Sequence, residues 1–300
     1  MSTRKPAVAG QFYPSSPETC RSEVSARLEG GGNAKPAPQG RVVGGIVPHA
    51  GWICSGTVAG EVIAAFRDAA IDTFIVFGAV HRLSRPQASV DARGDWQTPL
   101  GTMAIDEQLA AAVLDVSSDL LADDAKSHLL EHSIEVQLPF LQAVQPEARL
   151  LPVGVPPIDD APAVGTIVAE QVSRLGRRVA FLGSSDLTHY GPRYGFMPAG
   201  TGRHALHWAK ANDRRIIELC LKLQAECVVS EARTHCNACG SGAIAATLAA
   251  ARASGANEGM LLRHTSSAEV LRDQLGSTAD AVGYAGILLH GSDPESDPGT

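Results

Sequence analysis

Short continuous apolar runs, each closed by a polar cluster or a Pro/Gly break, recur along the chain. They are "RVVGGIVPH" (41–49), "TFIVFGAVH" (73–81), "ARLLPVGV" (148–155), "RVAFLGSSD" (178–186), "GMLLRHTSS" (259–267) and "AVGYAGILLH" (281–290). Runs of this length without alternation read as strands buried on both faces. Between them the apolar spacing becomes helical. "SGTVAGEVIAAFRDA" (55–69) predicts an amphipathic helix with Ser55 or Thr57 as its N-cap. "IDEQLAAAVLD" (105–115) predicts a helix capped near Asp106, and "HSIEVQLPFLQAV" (132–144) one that carries Pro139 early. Further helices are expected over 161–176, about 203–223 and 241–253. "SVDARGDWQTPLG" (89–101) alternates around Gly94 and reads as a hairpin or edge excursion. Buried strands alternating with helices predict a three-layer α/β/α domain with a mostly parallel or mixed central sheet. The pattern divides nowhere into halves, so a single domain over 1–290 is expected. Residues 29–40 ("EGGGNAKPAPQG") read as a surface loop and 291–300 as a flexible tail.

Composition narrows the classes of function. The chain has 300 residues, 44% hydrophobic and 19% charged, which is ordinary for a globular domain with a sizeable core. Its net charge of -7 and the lack of a basic stripe argue against nucleic-acid binding. The densest basic cluster, Arg174, Arg177 and Arg178, reads as a solvated helix end. No apolar run reaches the ~20 residues of a spanning helix, and the basic N-terminus lacks an apolar signal core. A cytoplasmic, reducing location is the expectation, with the six cysteines as thiols and not a disulfide framework.

The chemistry gathers where strands end. His49 follows the first strand, His81 the second, and Asp186 and His189 lie just past another, in "SSDLTHYG". The crevice beyond the carboxyl ends of parallel strands is the usual ligand site of such a sheet. A lone histidine there is normally a loop or capping group, but three strands delivering His or Asp to one edge point to a shared site. Two imidazoles and an anionic group form a set suited to zinc or non-haem iron. The anion could be Asp186 or the thiolate of Cys239, which stands before a small-residue helix whose N-terminus favours the charged sulfur. Cys236 and Cys239 form a CxxC without the second pair a structural zinc site needs; a redox role for the pair stays open. Cys20, Cys54, Cys220 and Cys227 read as packing thiols, and His204 and His207 as exposed. A rival motif is "HLLEH": on a helix, His128 and His132 would share a face with Glu131 as base, as in inverted zinc peptidases.

Six stretches occur in order: "RKPAVAGQFYP", "IVPHAGWICSG", "EHSIEVQLPFL", "SSDLTHYG", "CGSGAI" and "VGYAGI". Together they resemble the Memo family, whose bacterial and archaeal members are called AmmeMemoRadiSam system protein B, from Arg4 to about Leu289. The resemblance implies a fold like that of the LigB-type (class III) extradiol dioxygenases, which hold Fe(II) with two His and a Glu. In the Memo family the matching site has two His and a Cys, which here implies His49, His81 and Cys239 as metal ligands. His132, Asp186 and His189 would line the pocket as supporting or acid/base groups. The chain departs from the family pattern in "GAVH" (78–81), where a Pro is usual, and in Trp52, where Tyr is common and an aromatic wall is kept. His128 is outside the pattern.

Three functions compete. The first is a metal-dependent redox enzyme, with Fe(II) or copper favoured and zinc possible, acting on an unknown small molecule or peptide. A thiolate ligand is softer than a carboxylate and shifts preference from Fe(II) toward copper or zinc, so dioxygenase activity does not follow from the fold. The family name implies radical-SAM and AMMECR-type partners. The second is a non-catalytic metal- or peptide-binding adaptor. The third is the zinc peptidase at His128, Glu131 and His132.

Overall fold

The computed structural model describes residues 2–29, 38, 40–82, 86–275 and 279–291. In chain order the elements begin with β1 (Thr3–Arg4), α1 (Pro17–Leu28), β2 (Arg41–Val47), α2 (Trp52–Ala64) and β3 (Thr73–Gly78). Next come β4 (Ala88–Val90), β5 (Asp95–Thr98), β6 (Gly101–Ala104), α3 (Glu107–Val116), β7 (Leu121–Asp123) and α4 (Ala125–His128). A 3₁₀ turn (Glu135–Gln137) leads into α5 (Leu138–Val144), β8 (Arg149–Gly154), α6 (Ala161–Leu175), β9 (Val179–Ser184) and β10 (His189–Tyr190). The chain closes with α7 (Arg203–Leu221), α8 (Ala225–His235), α9 (Ser241–Ala253), β11 (Glu258–Ser266), α10 (Ser267–Val270), α11 (Arg272–Leu275) and β12 (Ala281–Gly291).

The main sheet is mixed, in the order β10-β12-β2-β9-β3-β8-β4-β7, with β11 also on β12. Its centre, β2-β9-β3-β8, is parallel. Each central strand feeds both faces, because side chains alternate across a strand. In β3, Phe74 and Val76 pack with α1, α2 and α5, while Ile75 and Phe77 pack with α3, α6 and α9. This is the expected α/β/α sandwich. Phe181 of β9 is fully buried, and removing such a ring costs ~3–5 kcal/mol. The second face closes tightly because Gly165 of α6 meets α9 backbone: a Cβ there would lie 1.9 Å from the Ala246 carbonyl oxygen.

Several expectations need correction. α2 starts at Trp52, with Gly51 as a cap that makes no side-chain bond, ahead of Ser55 and Thr57. The Trp52 N–H donates to the Phe12 carbonyl at 2.8 Å, so a tertiary contact sets the start. Around Gly94 the excursion holds and the hairpin turn does not. The chain passes there from β4 in the main sheet to β5 in a separate three-stranded sheet, β1-β5-β6, and the hairpin joins β5 to β6. Arg177 and Arg178 are not merely solvated, since they pair with Asp106 and Asp72. Gly291 ends β12 and so does not belong to a tail; 292–300 and most of the 29–40 loop lie outside the described residues. No helix among the described residues is long and apolar enough to cross a membrane.

Candidate metal centre

β9 lies between β2 and β3, so their carboxyl ends open side by side. His49 stands two residues past β2 and is almost fully buried. Its backbone N–H donates to Asp186 Oδ1 at 2.8 Å, and its Nδ1 lies 3.0 Å from Ser184 Oγ. The single Ser184 hydroxyl proton goes to the Ser133 carbonyl at 2.7 Å. Ser184 Oγ therefore accepts from His49, which assigns the proton to Nδ1 and makes Nε2 the acceptor nitrogen. Cys239 Sγ lies 3.2 Å from that Nε2.

His81 is oriented by a carboxylate. Its Nδ1 lies 2.9 Å from Glu131 Oε1, so it donates and Nε2 is left over. Glu131 also accepts the backbone N–H groups of His81, His132 and Ser133, each at 2.9 Å. His132 completes the group. Its ring stacks on His81, with centroids 4.7 Å apart and planes at 19°, lies against Phe12 at 4.8 Å and meets His49 edge-on at 5.4 Å. One ligand atom from each of His49, His81 and His132 lies within 4.8 Å of the others, close enough for one metal ion.

The electrostatics suit ligation. Burial, with the other imidazoles adding to it, holds His49 well below its ordinary pKa, and burial with His81 does the same to His132. Both are thus kept neutral, the ligating form. Burial alone would raise Glu131, but the His81 hydrogen bond and charge overrule it and hold the carboxyl low. The same bond raises His81 against its own burial. Burial pushes Asp186 up to about 7 although the His49 and Ala50 N–H groups oppose it. The thiolate expected at Cys239 is not favoured by the pocket itself, since burial and then the Asp186 charge push the thiol up. The helix N-terminus is too weak to offset desolvation there, and only a cation would draw the proton off.

The sequence-derived residues divide clearly. His49, His81, His132, Asp186 and Cys239 converge. His189 lies beside them, bonded through Nδ1 to the Leu187 carbonyl at 3.1 Å and edge-on to Tyr194. Cys236 is exposed, in a left-handed conformation after α8, and Cys227 is exposed too, against its reading as a packing thiol. His204 and His207 are exposed as expected. The peptidase arrangement does not form. α4 ends at His128, so His128 and His132 share no helix face. His128 is buried against Trp96, with Nε2 3.1 Å from the Ser89 carbonyl, and Glu131 serves His81 instead. Trp52 is core, not pocket wall: it packs on Phe140 and donates its indole N–H to Val136 O.

Sequence reasoning missed Ser184, which fixes the His49 tautomer, and the Glu131–His81 pair. It also missed Arg4. That guanidinium lies under Trp96 and donates to the His128 and Glu131 carbonyls and to Glu135 Oε2, at 2.7–2.8 Å. Ser184 and Arg4 lay inside or beside the quoted motifs, but pairing across the chain leaves no local signal.

The model of the Memo-like proteins matches residues 4–288 of this chain. The chain belongs to the Memo family. Relatives named MEMO1 family protein span nearly all of it. That of Methanosarcina barkeri is 36% identical over 290 residues, covering 95% of this chain and 99% of its own. That of Pyrococcus abyssi is 36% identical over 297 residues, with 95% and 99% covered. That of Methanosarcina acetivorans is 36% identical over 293 residues, with 96% and 100% covered. In this Memo-family chain His49 and His132 fall within two of the six motifs, and His81 lies outside them.

Proposed function

We propose that this Memo-family protein binds one redox-capable metal ion, iron or copper in preference to zinc, and acts as an oxidoreductase on a small molecule or peptide. His49 and His81 would be two ligands and Cys239 a third, with His132 in ligating reach of the same point. The observation that carries the reading is the convergence of three imidazoles with ligand atoms within 4.8 Å of one another. The donor set fits a metal in three further ways. The Nδ1 atoms of His49 and His81 are tied off by Ser184 and Glu131, turning each Nε2 into an acceptor; burial keeps His49 neutral; and the soft sulfur of Cys239 adjoins His49 Nε2. When bound, such a metal supplies one-electron chemistry and open coordination positions.

The chain's own residues would do the rest. Asp186 fixes the His49 backbone and, with its carboxyl near neutrality, can hold or release a proton. His189 is a second proton carrier on the same rim. A cavity of about 940 Å³ opens beside His81 and His132, with Leu129 and Leu130 exposed on its wall and Arg82 and Lys126 at its edge. That lining suits a substrate with an apolar body and a negative group. Radical-SAM and AMMECR-type partners belong to the proposal on the family relation alone.

The test is metal content by mass spectrometry on protein purified anaerobically, for wild type, His49→Ala, Cys239→Ser and His128→Ala. One iron or copper per chain, lost in the first variant, lowered in the second and kept in the third, supports the reading. Protein that stays metal-free after reconstitution would sink it and leave a non-catalytic binding protein.

A further inference from the structure

A second cavity, of about 600 Å³, lies away from the histidines, walled by α7, α10, α11 and β12. In β10 and β12, His189 is registered with Val282, so both point to one face. Thr188, Ala281 and Gly283 point to the other and line this cavity. The space therefore backs onto the strand that carries His189 and does not open into the metal centre.

Its charged groups are unevenly used. Arg203, His207 and Lys210 sit at i, i+4 and i+7 of α7, on one helical face, and Arg272 faces them from α11. The acids are already engaged. Glu269 takes Lys210 at 2.6 Å. Asp213 is buried, accepting the Thr188 N–H at 2.9 Å and bonding His264 Nε2 at 3.0 Å. It presses so close to β12 that a Cβ on Gly283 would lie 2.1 Å from Asp213 Oδ2, so any larger residue there would displace the carboxylate. Among the described residues, Arg203, His207 and Arg272 have no hydrogen-bond or ion-pair partner. The cavity thus offers spare donors and cations and no spare carboxylate, beside an apolar wall of Leu206 and Ala281.

We propose that this cavity is a binding site for a small organic anion, a phosphate or carboxylate compound, held by Arg203 and Arg272 with His207 between them. Guanidinium groups match both oxyanions in a bidentate fork, and the volume is that of a small-molecule site. The site is independent of the metal reading. It adjoins the His189 strand through Thr188, whose side chain and backbone are held by Asn212 and Asp213.

The experiment is calorimetric titration of the full chain with pyrophosphate and, separately, with succinate, at fixed low ionic strength so that screening is constant. Wild type, an Arg203→Gln/Arg272→Gln double variant and His49→Ala are compared. The expected result is one saturable site per chain, weakened at least about tenfold in the double variant and unchanged in His49→Ala. Binding of pyrophosphate alone would assign a phosphate, succinate alone a carboxylate, and either upholds the site. Three results would overturn it: no saturable binding of either anion, equal affinity in the double variant, or loss in His49→Ala, which would move the anion to the histidines. Both arginines are exposed, so the double variant keeps the fold, and its melting curve checks this.

Discussion

The two ends of the central strands are equally polar and differently matched. At the amino end, Asp106 caps α3 through the Leu109 N–H and accepts the Thr73 hydroxyl at 2.8 Å and Arg177 Nε at 3.1 Å. Asp72 is likewise taken by Arg178. Donors there meet acceptors at Asp106 and Asp72. At the carboxyl end, Ser184, Glu131 and Asp186 also satisfy their partners, yet they do so on the far side of each imidazole or on its backbone. What remains is a set of ring nitrogens facing one another. Polarity at a strand end is thus weak evidence for chemistry; spare lone pairs gathered at one point are strong evidence.

The contrast is sharpened by substitutions at each end. Asp106→Ala takes the acceptor from the buried Thr73 hydroxyl and from the half-buried Arg177 and removes a cap, so it should cost about 2 kcal/mol in urea unfolding while metal content stays at wild-type level. Loss of metal in that variant would mean the ends are not separable. The same sequence stretch that holds the site also holds a buried control, His128. Burial depresses its pKa to about 4 from an ordinary 6.5. Above 6.5 it is neutral folded or unfolded. As pH falls from 6.5 through 4 the unfolded chain takes the proton first, and stability drops by about 3 kcal/mol. His128→Gln keeps a donor for Ser89 O, and unfolding free energies measured at about pH 7 and 4 should differ less by that amount. Glu131→Gln should weaken metal binding ~10–100-fold by loosening His81; an unchanged dissociation constant would show that the pair is not supporting a ligand. Asp72→Asn, at an exposed pair, should leave both the urea midpoint and the metal content where they were.

Legibility in the sequence followed locality. The central strands could be read because burial on both faces makes them continuous apolar runs, and His49, His81 and Asp186 because each directly follows one. α3 was readable from its Asp106 cap. α1 was not, since its buried stripe is only Cys20, Val24 and Leu28 on a polar helix. α8, with Val228 and Val229 among charges, escaped for the same reason. The start of α2 depends on Phe12, and the use of Glu131 on a partner 50 positions away; neither leaves a local mark. The rival reading of "HLLEH" depended on helical spacing, and the chain leaves the helix at His128.

The placement of β9 between β2 and β3 also sets a timetable. The strands that present His49 and His81 are not neighbours, and the element that spaces them ends only at Ser184. The sulfur that meets His49 comes 190 positions after it. Contacts so distant in the chain form late and slowly. A nascent chain paused before residue 179 has every imidazole of the cluster and no template to set them apart, and one paused before residue 239 lacks the Cys239 thiol. The geometry of the centre is thus assembled only after β9 and then Cys239 have been made, in the last two fifths of the chain.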